Sequence, residues 1–311
     1  MGKIAFVFPG QGSQTVGMGK SVVEASEQAK DIFAKADERL GFSLSDIIFN
    51  GPQDTLTNTT YAQPALLTTS TAILQLLEEK GITADYVAGH SLGEYSALVA
   101  AKALSFEDAV YAVRKRGEYM EEAVPNGIGG MAAILGLDRE KLQEITNQVS
   151  AEGDSVQLAN LNCPGQIVIS GTAAGIEKAS ALAKENGAKR AIPLQVSGPF
   201  HSTLMEPAAQ KFQSVLDEID INDANIPVVA NVLAAPIEKA ADIKVKLIEQ
   251  LYSPVLWEDS VVALIELGVD TFIEIGPGKV LAGLIRKIDR NVKTFSVQDV
   301  ESFQAMLEEL Q

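Results

Sequence analysis

The sequence contains one cysteine and no long uninterrupted apolar run. Cys163 alone cannot form an internal disulfide, and disulfides are a feature of oxidising compartments. The first residues, MGKIAFVFPG, contain no apolar segment of signal-peptide length before Pro9. No apolar stretch is long enough to span a bilayer. We therefore expect a cytoplasmic protein that does not have a membrane as its partner.

Basic residues are also scarce, since 25 Lys and Arg stand against 41 Asp and Glu and the net charge is −16. Such a charge disfavours nucleic acid and anionic lipid surfaces as main partners, so any basic docking surface has to be local. Of the 311 residues, 46% are hydrophobic, which is enough for a sizeable core. The length suits either one large α/β domain or two domains.

The rest of the chain is organised around residues 85–97, which read DYVAGHSLGEYSA. Residues 86–88 are typical of the end of a buried strand, and the residues from Ser91 onward are typical of a helix. Between them lies a GxSxG pattern, in which a strained strand-to-helix turn projects a serine oxygen above the sheet. The helix dipole favours negative charge beside that serine. We interpret Ser91 as a candidate nucleophile; the alternative is a glycine-flanked serine in an ordinary turn.

A serine nucleophile needs a base, and the chain has only two histidines, His90 and His201. His90 is adjacent to Ser91 in sequence, where neighbouring strand side chains point to opposite faces, so it is poorly placed to be the base. The pattern therefore favours His201, in the segment PFHS, as the base. A structural histidine is the alternative.

An arginine without a local partner is the next candidate. A capping box, Ser105 to Asp108, predicts a helix that runs to about Ala123. Within it, Arg114 and Lys115 have Glu118 within helical reach. Arg116 has no acidic residue three or four positions away and lies beside the apolar stripe. A desolvated guanidinium is costly alone, so Arg116 either forms a structural salt bridge elsewhere or binds an anionic ligand.

The order of predicted elements indicates an α/β fold with an insertion. Residues 3–8 form a buried first strand, and the glycine-rich loop after it fits neither nucleotide-binding spacing, although its amides could approach an anion. Residues 127–196 alternate as βαββαβ, the ferredoxin-like order. We predict a large domain over 1–126 and 197–311 and a small domain over 127–196. Cys163 falls in the hairpin of the small domain, and we take it as structural.

Apolar periodicity and turn residues predict further elements. The predicted helices cover 21–40, 63–79, 91–104, 243–252, 260–267, 279–290 and the C-terminal tail, and the predicted strands cover 226–232 and 270–278, the last of the core.

Seven segments together resemble the malonyl-CoA:acyl carrier protein transacylase family, and the similarity covers essentially the whole chain in order. They are FPGQGSQ (8–14), GHSLGEYSAL (89–98), RG (116–117), NLNCPGQIVISG (160–171), PFHS (199–202), QLYSPVLW (250–257) and EIGPGKVL (274–281). The resemblance implies an α/β-hydrolase-like large domain that carries a ferredoxin-like insertion.

The resemblance also implies an activity: transfer of a malonyl group from malonyl-CoA to the phosphopantetheine thiol of acyl carrier protein, by a ping-pong route in fatty acid biosynthesis. We expect no metal and no cofactor beyond these substrates. The implied roles are Ser91 as the acylated nucleophile, His201 as its base, Arg116 as the anchor of the malonyl carboxylate, the amides of Gln11 and Leu92 as the oxyanion hole, and a main-chain carbonyl near Gln250 as the group that orients the histidine. No aspartate is an obvious third member, so we predict a dyad.

Two further sets of residues bear on specificity and docking. Phe200 and Met120 would restrict space at the malonyl α-carbon, which predicts malonyl over methylmalonyl. Carrier proteins of this kind are usually acidic, so docking needs a basic surface, and two clusters are available. They are Lys189 and Arg190 on the insertion, and Arg286, Lys287 and Arg290 on the last basic helix. Solvated surface charge is the alternative interpretation of these clusters.

The sequence leaves two other functions open. A serine esterase or thioesterase shares the nucleophile, the base and the oxyanion hole, and differs in admitting water to the acyl enzyme. A catalytically inactive module that binds a carrier protein or a nucleotide would keep the fold without an acyl-serine.

Overall fold

The structure, a computed structural model, describes residues 2–125 and 127–310, whose strands form two sheets. The larger sheet has the strand order β10-β9-β1-β2-β7-β8, parallel except that β8 runs antiparallel to β7. Its strands are β1 (Lys3–Phe8), β2 (Tyr86–Gly89), β7 (Val228–Ala230), β8 (Ala235–Ile237), β9 (Val269–Ile275) and β10 (Lys293–Val297).

Helices of the same part of the chain enclose this sheet. They are α1 (Lys20–Ala25), α2 (Glu27–Leu40), α3 (Leu44–Asn50), α4 (Gln53–Thr57), α5 (Thr59–Glu79), α6 (Gly93–Ala100), α7 (Phe106–Ala123), α10 (Glu206–Glu218), α11 (Ala240–Glu249), α12 (Trp257–Glu266), α13 (Val280–Ile288) and α14 (Val300–Leu310). Successive residues of β1 point to opposite faces: Phe6 and Phe8 join one apolar cluster, whereas Ala5 and Val7 join another. Both faces of β1 are therefore buried, as the apolar run KIAFVF predicts.

The smaller sheet is antiparallel, with the order β4-β5-β3-β6. It comprises β3 (Gly129–Leu135), β4 (Val156–Cys163), β5 (Gln166–Thr172) and β6 (Arg190–Pro193), with α8 (Arg139–Ala151) and α9 (Ala173–Glu185) between them in sequence. This confirms the predicted βαββαβ order and the α/β fold class with a separate antiparallel sheet. The domain bounds stay a prediction; those at Met1, Asn126 and Gln311 lie outside the described residues.

Several predicted helices have different ends in the structure. The helix predicted over 21–40 is two helices, because Ser26 interrupts it and its Oγ accepts a hydrogen bond from Ala29 N at 3.2 Å. Helix α5 begins at Thr59, where Asn58 caps it, rather than at residue 63. The serine helix begins at Gly93 and ends at Ala100, inside the predicted range of 91–104.

The sequence predicted residues 270–278 as the last strand of the core. This prediction was wrong, because a further strand, β10, pairs with β9 at the edge of the sheet. Strand β8, which contains Pro236, was also missed. Both strands are short and mostly not fully buried, so their apolar pattern is weak. The helices at 106–123 and in the C-terminal tail are confirmed.

Candidate active site

Ser91 lies between β2 and α6 with φ of 51°, a left-handed conformation that is strained for a non-glycine residue. Two glycines make this turn possible. A Cβ on Gly89 would lie 1.9 Å from the carbonyl carbon of Gly93, and a Cβ on Gly93 would lie 2.1 Å from Phe8 O. The GxSxG spacing is therefore a steric requirement of this turn.

Asn231, directly after β7, holds the turn from the neighbouring strand. Its Oδ1 accepts a hydrogen bond from Ser91 N at 2.7 Å, and its Nδ2 donates to Gly89 O at 2.7 Å. These bonds fix the main chain on both sides of His90. No local pattern in the sequence predicted Asn231, which is 140 residues away from Ser91 along the chain.

His201 faces the serine oxygen, with 2.7 Å between its Nε2 and Ser91 Oγ. Its Nδ1 is 2.8 Å from the main-chain carbonyl of Gln250, an acceptor that fixes the proton on Nδ1 and leaves Nε2 able to accept. Burial, together with the nearby charge of Arg116, lowers the pKa of His201 to about 3. A neutral imidazole that accepts the serine proton is the state this arrangement favours.

Arg116 is fully buried, with 1% of its surface exposed. It donates from NH1 to Gln63 Oε1 at 2.8 Å and from NH2 to Gln250 Oε1 at 2.9 Å, and its NH2 lies 3.2 Å from Ser91 Oγ. Burial lowers the pKa of Arg116, but a guanidinium still remains charged. It makes no ion pair with any residue in 2–125 or 127–310. The structural salt bridge considered from sequence is therefore absent from this part of the chain.

The other basic residues of that helix behave as the spacing predicts. Arg114 and Lys115 each form an ion pair with Glu118 at 2.8 Å. Arg116 itself points into the core rather than along the flank of the apolar stripe, and its two fixed partners are neutral amides. A buried cation held by neutral groups has no direct counter-ion, so an anionic ligand that reached it would be stabilised.

A cavity of about 360 Å³ lies over the serine. Seven of the candidate site residues line it: Gln11, Ser91, Leu92, Arg116, Met120, Phe200 and His201. Gln250 contacts three of these from behind the cavity wall. Among the described residues, neither Gln11 N nor Leu92 N donates to another protein atom, which leaves both amides available to a ligand.

Known acyltransferases are similar to this chain over nearly its whole length. The acyl transferase domain family matches residues 5–305. A malonyl CoA-acyl carrier protein transacylase of Bacillus subtilis (strain 168) is 64% identical over 310 residues, which cover 100% of this chain and 98% of the relative. The chain belongs to the malonyl-CoA:acyl carrier protein transacylase family.

Solved structures of transacylases have the same fold. One from Clostridium perfringens has a TM-score of 0.96 and 44% identity, covering 99% of this chain and 97% of that one. A malonyl-transacylase solved in complex with a type II PKS acyl-carrier protein has a TM-score of 0.96 and 43% identity, covering 99% of each chain. As a transacylase family member, the chain is an acyltransferase, and no helix in its described parts is long and apolar enough to cross a membrane.

The four predicted docking residues of this transacylase family member lie outside the serine cavity. A second cavity, of about 290 Å³, shares Gln11, His90 and Leu194 with the first and extends to Gln166 and Val280. Because the two cavities share lining residues, together they extend from Ser91 to the end of the small sheet at which Gln166 lies.

Basic residues of both predicted clusters lie at this end of the small sheet. Lys287 Nζ donates to Gln166 Oε1 at 3.2 Å, Gln166 pairs with Leu135, and Leu135 pairs with Arg190 across the sheet. We call Lys189, Arg190, Arg286 and Lys287 the basic rim. All four are exposed, and none forms an ion pair with a residue in the described ranges. The two clusters that are separate in sequence thus lie at one end of the second cavity.

Three buried polar residues of the site were missed by sequence analysis: Gln63, Glu94 and Asn231. Gln63 and Glu94 lie on helices whose remaining buried residues are mostly apolar or small. A long polar side chain on such a helix was the available signal.

His90 and Cys163 lie outside the catalytic contacts. His90 Nε2 is 2.9 Å from Asn162 Oδ1, so this ring nitrogen is engaged by an amide and not by the serine. Cys163 is buried at the end of β4, and burial raises the pKa of its thiol, which disfavours the reactive thiolate.

Proposed function

We propose that this chain transfers a malonyl group from malonyl-CoA to the phosphopantetheine thiol of acyl carrier protein, through a malonyl ester of Ser91. The observation that carries the proposal is the Arg116 guanidinium, buried 3.2 Å from Ser91 Oγ between two neutral amides. A substrate with a free carboxylate near its thioester supplies an anion that binds the guanidinium directly, which none of its fixed partners does.

In the first half-reaction His201 accepts the proton of Ser91 while the serine oxygen attacks the thioester carbon. The amides of Gln11 and Leu92 hold the tetrahedral oxyanion, and each such donor contributes on the order of 3 kcal/mol to the transition state. The C–S bond then breaks, His201 returns its proton to the sulfur, and coenzyme A leaves.

In the second half-reaction the pantetheine thiol of the carrier protein replaces coenzyme A. His201 accepts the thiol proton as sulfur attacks the malonyl ester, and it returns that proton to the Ser91 oxygen when the ester bond breaks. The Gln250 carbonyl keeps the imidazole oriented through both halves, so a dyad suffices without a third acidic residue.

Selection of the acyl group has two parts. Arg116 can bind the malonyl carboxylate with two parallel hydrogen bonds, which an acetyl group cannot form. Met120 and Phe200 are almost fully buried, and Gln63 Nε2 lies 3.4 Å from Met120 Sδ, a contact that limits the movement of this side chain. We infer that these two side chains disfavour a methyl branch at the α-carbon.

The basic rim is the surface we assign to the acidic carrier protein. Its exposed, unpaired charges would attract an acidic partner in spite of the net charge of −16. The second cavity would admit the pantetheine arm from the rim to Ser91. We place the reaction in the cytoplasm, in keeping with a single cysteine that can form no internal disulfide.

Mass spectrometry tests the proposal directly. The protein is incubated with malonyl-CoA, quenched with acid and digested, and the peptide that contains Ser91 is examined. We expect a malonyl group on that peptide, its loss on addition of a pantetheine thiol, and slow loss in water alone. An unmodified peptide would overturn the proposal, and rapid hydrolysis without transfer would identify a thioesterase instead.

A further inference from the structure

Glu94 is a buried carboxylate that the mechanism above does not use. It is the second residue of α6, three positions after Ser91, and 2% of its surface is exposed. The other residues of this helix are also buried. An ionised carboxylate in such a place is costly unless it has firm partners, so its contacts indicate what it does.

One oxygen of Glu94 contacts the two side chains that fix the serine. Its Oε2 accepts hydrogen bonds from Gln250 Nε2 at 2.7 Å and from Asn231 N at 3.1 Å. Asn231 in turn accepts from Ser91 N, and Gln250 Nε2 also donates to Ser91 O at 3.0 Å. Glu94 thus connects the supports of the strained turn on both its amide and its carbonyl side.

The same contacts set a direction for the Gln250 amide. Its nitrogen faces Glu94, its Oε1 accepts from Arg116 NH2 at 2.9 Å, and its main-chain carbonyl accepts from His201. A carboxylate at one end of a primary amide and a guanidinium at the other fix which end is which. Glu94 is therefore a negative charge that is separated from Arg116 by the side-chain amide of Gln250. It makes no direct hydrogen bond to the guanidinium.

We propose that the Glu94 carboxylate is a positioning residue for malonyl transfer, which orients Gln250 between Arg116 and His201 and balances the guanidinium while leaving it free for the substrate carboxylate. The inference rests on the proposed function and extends it to a charge requirement inside the protein. A direct ion pair would compete with the substrate, whereas an indirect one does not.

The titratable groups that interact with Glu94 are Arg116 on α7 and Tyr95 on α6, and His201 contacts the main-chain carbonyl of Gln250, whose side chain donates to Glu94. Burial raises the pKa of Glu94 to about 7 in spite of the opposing effects of Asn231, Gln250 and Arg116. Burial lowers the pKa of His201 to about 3 and raises that of Tyr95, so both are neutral near pH 7. Among these groups, Glu94 is the one whose charge changes in the neutral range.

The test is the single-turnover rate of Ser91 malonylation between about pH 5.5 and 8.5. Malonyl-pantetheine is the probe, because it lacks the phosphates of coenzyme A, which also titrate in this range. We expect the wild-type rate to fall about tenfold toward low pH, with a midpoint near 7. The Glu94→Gln variant keeps the shape but not the charge, and its rate should be constant with pH at the low level of the acidic wild type.

Glu274 offers a matched control. It is 1% exposed, and its two carboxylate oxygens accept from Leu281 N and Ala282 N at 3.0 and 2.8 Å, outside the serine contacts. Glu274→Gln should keep the wild-type pH profile even if its melting temperature changes. Thermal unfolding of each variant shows whether it is folded. If Glu94→Gln does not fold, the pH dependence of the wild-type malonylation rate alone tests the inference.

A flat wild-type profile would overturn the inference. So would a Glu94→Gln variant that keeps the wild-type profile, because the carboxylate would then be only structural. If no Ser91 ester formed at any pH, the proposed function itself would fail, which is a different result from an ester that forms at a rate independent of pH.

Discussion

The serine cavity and the basic rim use positive charge in opposite ways. In the cavity, Arg116 is buried, held by two amides and close to the reacting oxygen. At the rim, Lys287 and its neighbours are exposed and without ion pairs among the described residues. A charge in a low-dielectric, fixed site affects binding and chemistry directly. An exposed charge is screened and acts mainly on the rate of encounter.

The largest effect that this comparison predicts is in the cavity, at the nucleophile. Ser91→Ala removes the attacking oxygen but not the cavity or the rim, so we expect transfer to fall by roughly 10⁴-fold or more. Binding of carrier protein should remain within about twofold. Steady-state kinetics and surface-immobilised carrier protein measure the two quantities. Substantial residual transfer would show that another group accepts the malonyl ester.

Arg116 gives the next largest effect, and its variants distinguish binding of the substrate carboxylate from the acyl-transfer reaction itself. Arg116→Met keeps much of the length and apolar stem but removes the guanidinium. We expect kcat/KM for malonyl-CoA to fall about 10²–10³-fold, since a buried charged hydrogen-bonded pair is worth a few kcal/mol. The value for acetyl-CoA should change far less.

Arg116→Lys is the control, because it retains the charge and loses the two-pronged geometry. Its malonyl activity should lie between that of the wild type and that of Arg116→Met. Equal losses for malonyl-CoA and acetyl-CoA in Arg116→Met would contradict a role in carboxylate binding and would assign this arginine to the fold.

Met120 is expected to have a smaller effect on catalysis, confined to the choice between acyl groups. Met120→Ala should raise kcat/KM for methylmalonyl-CoA relative to malonyl-CoA by roughly tenfold, the scale of one methyl group in an apolar pocket. The truncation also removes buried volume and costs about 2–5 kcal/mol of stability, so melting temperature is measured in parallel. Phe200→Leu tests the other wall, and unchanged selectivity in both variants would refute the interpretation.

Local patterns in the sequence predicted much of the cavity because its main features are local. The GxSxG pattern is contained within five residues, although a Cβ on Gly93 would meet Phe8 of the neighbouring strand. The absence of a local counter-ion for Arg116 follows from the residues three and four positions away. Gln63 and Asn231 were not predictable in this way, since they contact Arg116 and Ser91 across 53 and 140 residues. Helical or strand periodicity carries no information about such contacts.

The same distinction applies to the fold. Long amphipathic helices such as Phe106–Ala123 and the βαββαβ order were predicted, because each has its own periodicity and caps. Edge strands β8 and β10 were missed, since pairing with a neighbouring strand and not burial determines them. The position of the basic rim beside the second cavity also depends on pairing between β3, β5 and β6.

The rim should give the smallest effects and the strongest dependence on salt. Reversing one charge, as in Lys189→Glu, Arg190→Glu, Arg286→Glu or Lys287→Glu, should lower kcat/KM for carrier protein by roughly three- to tenfold at low ionic strength. The loss should shrink as salt approaches about 0.5 M, where the screening length is only a few ångströms. Ser91 malonylation by malonyl-pantetheine should be unchanged, because that probe brings no acidic partner.

Lys80 provides a matched control for the rim, because it is exposed and precedes β2. The amino end of β2 lies at the end of the sheet opposite Ser91, which follows its carboxyl end. Lys80→Glu makes the same change in net charge at a site remote from the second cavity. If it slowed carrier-protein turnover as much as the rim variants did, total charge and not a docking surface would be responsible. If all four rim variants matched the wild type, the carrier protein would have to dock elsewhere around the cavity mouth.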